Sequence, residues 1–306
     1  KLTRTMQERS HTQKELDKEK DVIIEEINSY QDSPSELIYD EFEEFIYEGH
    51  PLAHNILGSK RNVRHFTPEQ VRDFMRRNYT TDRMVVTVVA NIKFDHLIRL
   101  CERFFGSYER HKSDAQRNTA PQPCHFDKTI NRHTHQTHLL LGCPAPNIYN
   151  EDKVAFTLLN NIIGGPASNS LLNNLLREKN GWVYGVESSY SQYTEAGIMA
   201  ISLGCDKCNL DKCMEAVARV IASLQETPLS DTRLKAAKKQ LLGQLAISSD
   251  NGETQCLSMG KSMLSFGRIW SDEESVARIE EVTAEKVRQT ALKIFMEDRV
   301  SSLVFL

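Results

Sequence analysis

The chain has 306 residues, a net charge of −4 and a mean hydropathy of −0.47. This length predicts two domains of about 150 residues, each large enough to bury its own core. No window approaches about 18 consecutive apolar residues, so no membrane-spanning helix is predicted. The balance of 38 basic and 42 acidic residues argues against a dedicated nucleic-acid-binding protein. Seven scattered cysteines do not indicate a disulfide framework and favour a reducing compartment such as the cytoplasm, although the sequence does not fix the localisation.

Helix-start signals recur in the first hundred residues. A capping box at Thr12 predicts a helix that runs to about Tyr30. Pro34 predicts a second helix, in which it occupies the first position, and Thr67 predicts the start of a third. The β-branched run at residues 84–90 (MVVTVVA) predicts a buried strand.

An aperiodic stretch over residues 110–125 predicts a linker between two domains, 1–109 and 126–306. The pattern after this linker predicts a helix-rich domain that also contains strands. Its predicted elements are a strand at 129–142, a helix at 154–163, strands at 182–192 and 197–204, helices from 210 to 296, and a last strand at 300–306.

An internal repeat relates the two domains. The pattern T-x-E-x-V-R occurs at Thr67 and again at Thr283, an offset of 216 residues, and each copy leads to Asp-Arg and a hydrophobic run. A second stretch, which includes Leu16 and Leu234, agrees at an offset of 218 residues. A duplicated domain is therefore predicted. Because the second copy has about 180 residues, a complete first copy would begin about 90 residues before Lys1, and we expect domain 1–109 to be the C-terminal part of a truncated copy.

The first helix carries acidic residues beside its apolar stripe. At about 100° per residue, Glu19 and Glu26 fall at the edge of that stripe on the same side of the helix. In the second copy, Ala237 and Gln244 stand at the aligned positions. Carboxylates near a core tend to be protonated, ion-paired or metal-bound. An ordinary charged helix with boundary glutamates is the alternative.

Three segments resemble one family of enzymes. They are residues 19–27 (EKDVIIEEI), 50–58 (HPLAHNILG) and 176–184 (LREKNGWVY), the last preceded by Gly-Gly at 164–165. In this order they resemble the pitrilysin-type zinc metallopeptidases, or inverzincins, and within them the two-domain group that contains mitochondrial processing peptidase. The family's HxxEH motif is absent from the 306 residues; in the family it lies upstream of the distal glutamate ligand.

The resemblance implies a fold and a set of roles. The fold is α+β, a duplicated domain in which each copy is a mixed, mostly antiparallel sheet packed with helices. Glu26 would be the third zinc ligand beside the two histidines of HxxEH, whose glutamate is the general base. Glu19 would help to orient the zinc ligands without binding the metal itself. Arg177 and Tyr184 would hold the substrate backbone and the carbonyl oxygen that becomes anionic. A helix-end arginine and a strand tyrosine are the structural alternative.

The function implied is a zinc-dependent endopeptidase that cleaves peptides or unfolded segments. The chain as given should be inactive, because Glu26 alone cannot hold catalytic Zn²⁺. The group implies a homodimer or a homologous partner subunit, without nucleic acid. One alternative is a non-catalytic subunit that completes the site of a homologous peptidase; another is a structural scaffold of the kind found in respiratory complexes.

Two further clusters resemble metal sites. The first contains His133, His135 and His138. On a strand, His133 and His135 would point to one face and His138 to the other, so a plain strand is predicted rather than a metal site. The second contains one CxxC pair, Cys205 and Cys208, and lacks a second pair to complete a structural zinc site.

Overall fold

The computed structural model describes residues 12–114, 116 and 118–306. These residues form two compact units. The first consists of the described residues within 1–28, 57–117 and 246–270, and the second of residues 29–56, 118–245 and 271–306. The units interleave along the chain, whereas the predicted domains 1–109 and 126–306 follow chain order. The units are defined by contacts within the structure, whereas the predicted domains are defined by the internal repeat and the linker. The predicted domain boundaries therefore stay a prediction.

Helices make up most of the described chain, and the three predicted from Thr12, Pro34 and Thr67 are confirmed. No helix among the described residues is long and apolar enough to cross a membrane. The helices are α1 Gln13–Gln31, α2 Pro34–Ile46, α3 Lys60–His65, α4 Pro68–Asn78, α5 Phe94–Phe105, α6 Lys153–Gly164, α7 Leu210–Glu226, α8 Asp231–Ser249, α9 Gly252–Phe266, α10 Asp272–Glu280 and α11 Ala284–Ile294. Short helical turns are Pro51–Ala53, Thr81–Arg83, Asn173–Lys179, Lys207–Asn209 and Glu297–Arg299.

The second unit contains a five-stranded sheet. Its strands are β1 Asp127–Ile130, β2 Thr137–Ala145, β3 Val183–Gln192, β4 Gly197–Cys205 and β5 Ser301–Phe305. The spatial order is β1-β5-β2-β4-β3, with β1 parallel to β5 and the other pairs antiparallel. The predicted mixed, mostly antiparallel sheet is therefore confirmed for this unit. The single strand predicted at 129–142 is two strands, β1 and β2, because the chain turns at His133, where φ is 53°.

Both faces of this sheet are covered by helices. One face carries the main core, in which Leu159 of α6 and Ala291 of α11 pack with Met199 of β4. The other face is covered by α2, whose Phe42 packs with Leu303 of β5. Helix α2 is thus part of the second unit, although it precedes the predicted linker.

The internal repeat is present in the structure. Helices α1 and α8 have the same length, and their ends are separated by 218 residues at both termini. Helices α4 and α11 correspond in the same way at 216 residues, as do the turns Thr81–Arg83 and Glu297–Arg299. The duplication predicted from sequence is therefore visible in these paired elements.

Each repeat contributes one helix to the other repeat's unit. In the second unit, Ile38 of α2 packs in the same cluster as Leu303 of β5. Ile38 aligns with Cys256 of α9 at the offset of 218, and Leu303 aligns with Thr87 at the offset of 216. Both Cys256 and Thr87 belong to the first unit. The Cys256 Sγ lies 3.3 Å from the Thr87 Oγ1. The α9 contact with residues 84–90 therefore repeats the α2 contact with β5.

The prediction of a buried strand at residues 84–90 is wrong. The segment forms no strand with any described residue, and Val86 is 54% exposed. Its repeat counterpart, β5, lies between β1 and β2, which supply backbone partners and cover its side chains. Within its described residues the first unit has no strand. β-Branched residues favour extended backbone, but burial requires neighbouring strands.

Gly164 permits close packing of α6 on β3. A Cβ at this position would lie 2.8 Å from the Ser188 Cβ and backbone nitrogen. We expect Gly164→Ala to lower the free energy of unfolding by about 1–3 kcal/mol, measured by urea denaturation. Gly243→Ala is the control, because that exposed helical position has no atom near a new Cβ; it should raise stability by about 0.5–1 kcal/mol. Equal effects of the two changes would contradict this explanation.

Glu43 on α2 is a half-buried carboxyl group. Burial raises the pKa of this carboxyl, partly offset by the hydrogen bond that the Tyr193 hydroxyl donates to it at 2.6 Å. A raised folded-state pKa means that the group's contribution to stability is full at acid pH and is lost as pH rises through that pKa. Glu43→Gln should therefore stabilise the fold at pH 7, by under about 1 kcal/mol, with no gain below the ordinary pKa of 4.5.

Urea denaturation from pH 4 to pH 7.5 would measure this difference. Glu44→Gln is the matched control, because the Glu44 side chain is exposed on the same helix. A gain for Glu43→Gln that is independent of pH would show that relief of the buried charge is not its cause.

Candidate functional site

The segment from Gly164 to Tyr184 is locally irregular. After α6 ends, the chain forms a π-helical turn over Asn173–Lys179. This turn is closed by hydrogen bonds from the Gly181 N–H to the Arg177 carbonyl and from the Trp182 N–H to the Leu176 carbonyl. Gly181 has a φ of 60°, which glycine adopts without strain. π-Helical turns occur frequently at functional sites.

Arg177 and Tyr184 both project into solvent from this segment. The Arg177 side chain is exposed, and its guanidinium makes no hydrogen bond or ion pair to a described residue. Tyr184 is 58% exposed, and its hydroxyl donates a hydrogen bond of 3.0 Å to the Asp206 Oδ1. That hydrogen bond and the charge of Asp206 raise the pKa of Tyr184. Both groups are therefore available to a ligand that reaches this end of β3.

Glu19 and Glu26 are exposed on α1, in the first unit. In the predicted stripe Ile27 is buried, and Leu16 and Ile23 are half-buried, so the stripe is a less exposed face of α1 but not a fully buried one. No hydrogen bond or ion pair joins Glu19 or Glu26 to another described residue. Periodicity marks one face of a helix, but the elements packed against that face decide how deeply it is buried. Because the carboxylates of Glu19 and Glu26 are exposed, no metal ion or ion pair is needed to offset the cost of burying them. Burial therefore does not argue that these residues bind metal.

A cluster of amides lies at the repeat counterpart of Glu26. Gln244 on α8 aligns with Glu26 and accepts a hydrogen bond of 2.6 Å from the Nδ2 of Asn161 on α6. Gln240 donates at 2.9 Å to the Oδ1 of the same asparagine. Position 244 therefore faces α6 and makes a polar contact there. Our sequence analysis did not identify this cluster, although two adjacent asparagines in an apolar helix signal it.

The other candidate metal clusters do not form sites. Among the described residues, no group of three or more His, Cys, Asp or Glu side chains is arranged to hold a metal ion. His133 and His135 lie in the connection between β1 and β2, so the alternation predicted for a strand does not apply to them. Burial raises the pKa of the Cys205 thiol to about 12. Burial therefore disfavours the thiolate that metal coordination requires.

Comparison with known proteins identifies the family. Residues 65–241, more than half of the chain, match the family described as Peptidase M16 inactive domain. The chain belongs to the M16 peptidase family. The resemblance stated from the three sequence segments is thereby confirmed.

Relatives and a solved structure agree with this assignment. A Bacillus subtilis (strain 168) protein named as an uncharacterized zinc protease, YmxG, is 32% identical over 95% of this chain and 70% of its own length. A Mycobacterium leprae (strain TN) protein, also named as an uncharacterized zinc protease, is 28% identical over 90% of this chain, which spans 63% of that relative. The crystal structure of a protease from Helicobacter pylori matches 96% of this chain and 72% of that chain, with a TM-score of 0.87 at 15% identity. At this identity the structural likeness shows the fold alone.

The M16 assignment settles the fold and leaves the residue roles as proposals. The α+β fold predicted from the sequence is confirmed by these structural relatives. The relatives' names place zinc in the family, whereas the matched region carries the description of an inactive domain. The roles of Glu19, Glu26, Arg177 and Tyr184 are therefore argued below as proposals.

The amide cluster should contribute to stability. Gln244→Ala removes the acceptor for the Asn161 Nδ2, and Asn161 is 8% exposed, so a buried donor would lose its partner. We expect a loss of about 1–3 kcal/mol in the free energy of unfolding, measured by urea denaturation. Gln255→Ala is the control, because that helical glutamine is exposed. The same midpoint for both variants would contradict the contribution assigned to the hydrogen bond.

Proposed function

We propose that this chain forms part of a zinc-dependent endopeptidase of the M16 family, to which it contributes one zinc ligand and a substrate-binding pair. Glu26 is the proposed ligand, Glu19 orients it, and Arg177 and Tyr184 bind the substrate. The observation that carries the proposal is the contact at the repeat counterpart of Glu26, where Gln244 of α8 reaches across to Asn161 of α6.

The duplication relates this contact to the first repeat. Since α1 and α8 correspond residue by residue, position 26 is expected to face a helix equivalent to α6 in a complete first repeat. A carboxylate at the place of an amide acceptor supplies an anionic oxygen ligand of the kind that zinc binds. The Glu26 carboxylate has no partner among the described residues, so it is free to serve in this way.

The described residues by themselves do not fit a catalytic zinc site. Such a site needs three protein ligands and an open position for water, and Glu26 is the single candidate that the resemblance supplies in this chain. We therefore assign no chemical step to the metal and expect the isolated chain to be inactive. The two remaining ligands would come from an HxxEH segment, on this polypeptide or on another.

The exposed pair on the second unit suits a polypeptide substrate. The Arg177 guanidinium offers several N–H donors to peptide carbonyl oxygens, and Tyr184 offers one hydroxyl group. Tyr184 lies on β3 and Arg177 on the turn that precedes it. β3 is an edge strand of the sheet, and edge strands bind extended chains. Peptides and unfolded segments are the substrate class that fits. A homodimer or a homologous partner subunit is the proposed assembly.

The second candidate function is a non-catalytic partner subunit. The description of the matched region as an inactive domain favours it. In this role the chain would present Arg177 and Tyr184 to the zinc site of a homologous peptidase. The two candidates differ in whether Glu26 binds zinc.

Substitution of Glu26 in the native protein distinguishes the two candidates. Peptide mass spectrometry first establishes whether an HxxEH segment precedes Lys1. We then expect Glu26→Gln to lower the zinc content, measured by atomic emission spectrometry, to less than about a tenth, because a neutral amide is a poor zinc ligand. Glu25→Gln is the matched control on the adjacent position. Unchanged zinc in the Glu26 variant would contradict the ligand assignment, and zinc-free wild-type protein would favour the partner subunit.

A further inference from the structure

We propose that Asp206 is the positioning residue for Tyr184. The Asp206 carboxylate accepts the hydroxyl proton of Tyr184 in a hydrogen bond of 3.0 Å and thereby fixes where the phenol stands beside the edge strand. This inference rests on the proposed substrate-binding role of Tyr184 and adds a residue that the sequence motifs do not contain.

An irregularity in the strand pairing brings the two residues together. Val183 of β3 pairs with Cys205 of β4, and Gly185 pairs with Gly204, so Tyr184 is an extra residue without a partner on β4. Bulges of this kind bend a strand and redirect the extra side chain. Asp206 follows Cys205 directly, which places its carboxylate just beyond the last strand pair, beside the bulge.

The two partners differ in how firmly they are held. Cys205 is fully buried, and the Asp206 carbonyl accepts a hydrogen bond of 2.9 Å from the Asn209 N–H in the turn that follows. The backbone of Asp206 is thus fixed on both sides. Tyr184 is more than half exposed, so packing restricts its ring little. The hydrogen bond to Asp206 is therefore the contact that selects its orientation.

The hydrogen bond also limits what Tyr184 offers to a substrate. A phenol has one proton, and here Asp206 accepts it. Toward a bound peptide, the Tyr184 oxygen consequently presents lone pairs, which accept a hydrogen bond from a peptide N–H. Donation to a carbonyl oxygen that becomes anionic requires Tyr184 to leave Asp206.

The first test measures the titration of Tyr184 in the 306-residue chain and needs no enzymatic activity. The phenol is followed by NMR with ¹³Cζ-labelled tyrosine, and Tyr184→Phe assigns its signal. We expect Asp206→Asn and Asp206→Ala each to lower the pKa of Tyr184, because both remove the negative charge that holds the phenolic proton. Asp211→Asn, an exposed acidic residue on α7, is the control and should leave it unchanged. The same Tyr184 pKa in the wild type and both Asp206 variants would overturn the proposal.

The second test uses the zinc-loaded native protein and an unfolded polypeptide substrate. We expect Asp206→Asn to lower kcat/KM about two- to five-fold with unchanged zinc content, and to have no effect in a Tyr184→Phe background. An equal loss in both backgrounds would overturn the positioning role. If the wild-type protein proves to have neither zinc nor activity, the proposed catalytic function fails, while the titration still decides whether Asp206 positions Tyr184.

Discussion

The packing of α2 on the sheet is the constraint on which the second unit depends. Phe42 lies against Gly142 of β2, where a Cβ would approach the phenyl ring to 2.5 Å, so the absence of a side chain creates the space that the ring fills. Tyr47 extends this contact with a hydrogen bond from its hydroxyl to the Gly197 carbonyl. Without α2, one face of a five-stranded sheet would expose Leu303 and Phe305 to water, at a cost of about 1.5–3 kcal/mol for each large apolar side chain. A helix from the first repeat is therefore part of the second unit's core.

Regular packing in this unit supports an irregular segment at its edge. Gly164 lets α6 approach β3 closely, the π-helical turn carries Arg177, and the bulge in β3 redirects Tyr184. The two irregularities adjoin buried side chains: Leu176 lies within the π-helical turn, and Cys205 pairs with Val183 beside the bulge. The exposed functional candidates are thus attached to positions that the core holds in place, which is how a short surface segment keeps a defined geometry.

The two repeats share elements but differ in the side chains at the aligned positions 26 and 244. In the second repeat an amide at 244 joins α8 to α6, and the hydrogen-bonding capacity of Asn161 is used within the protein. In the first repeat a carboxylate stands at the aligned position 26 and is exposed. The same helix position thus makes an internal polar contact in the second repeat and carries an exposed carboxylate in the first.

The sequence by itself determined the helix starts, the duplication and the family, because caps, periodicity and short motifs are local signals. It placed α6, β3, β4 and β5 close to their observed bounds for the same reason. It could not determine that residues 84–90 have no strand partner among the described residues, that Glu26 is exposed or that α2 belongs to the second unit, since pairing and burial depend on which elements meet. The contact between Tyr184 and Asp206 was likewise decided by tertiary structure, because a one-residue bulge in the pairing of β3 with β4 brings together two residues that are 22 positions apart in the chain.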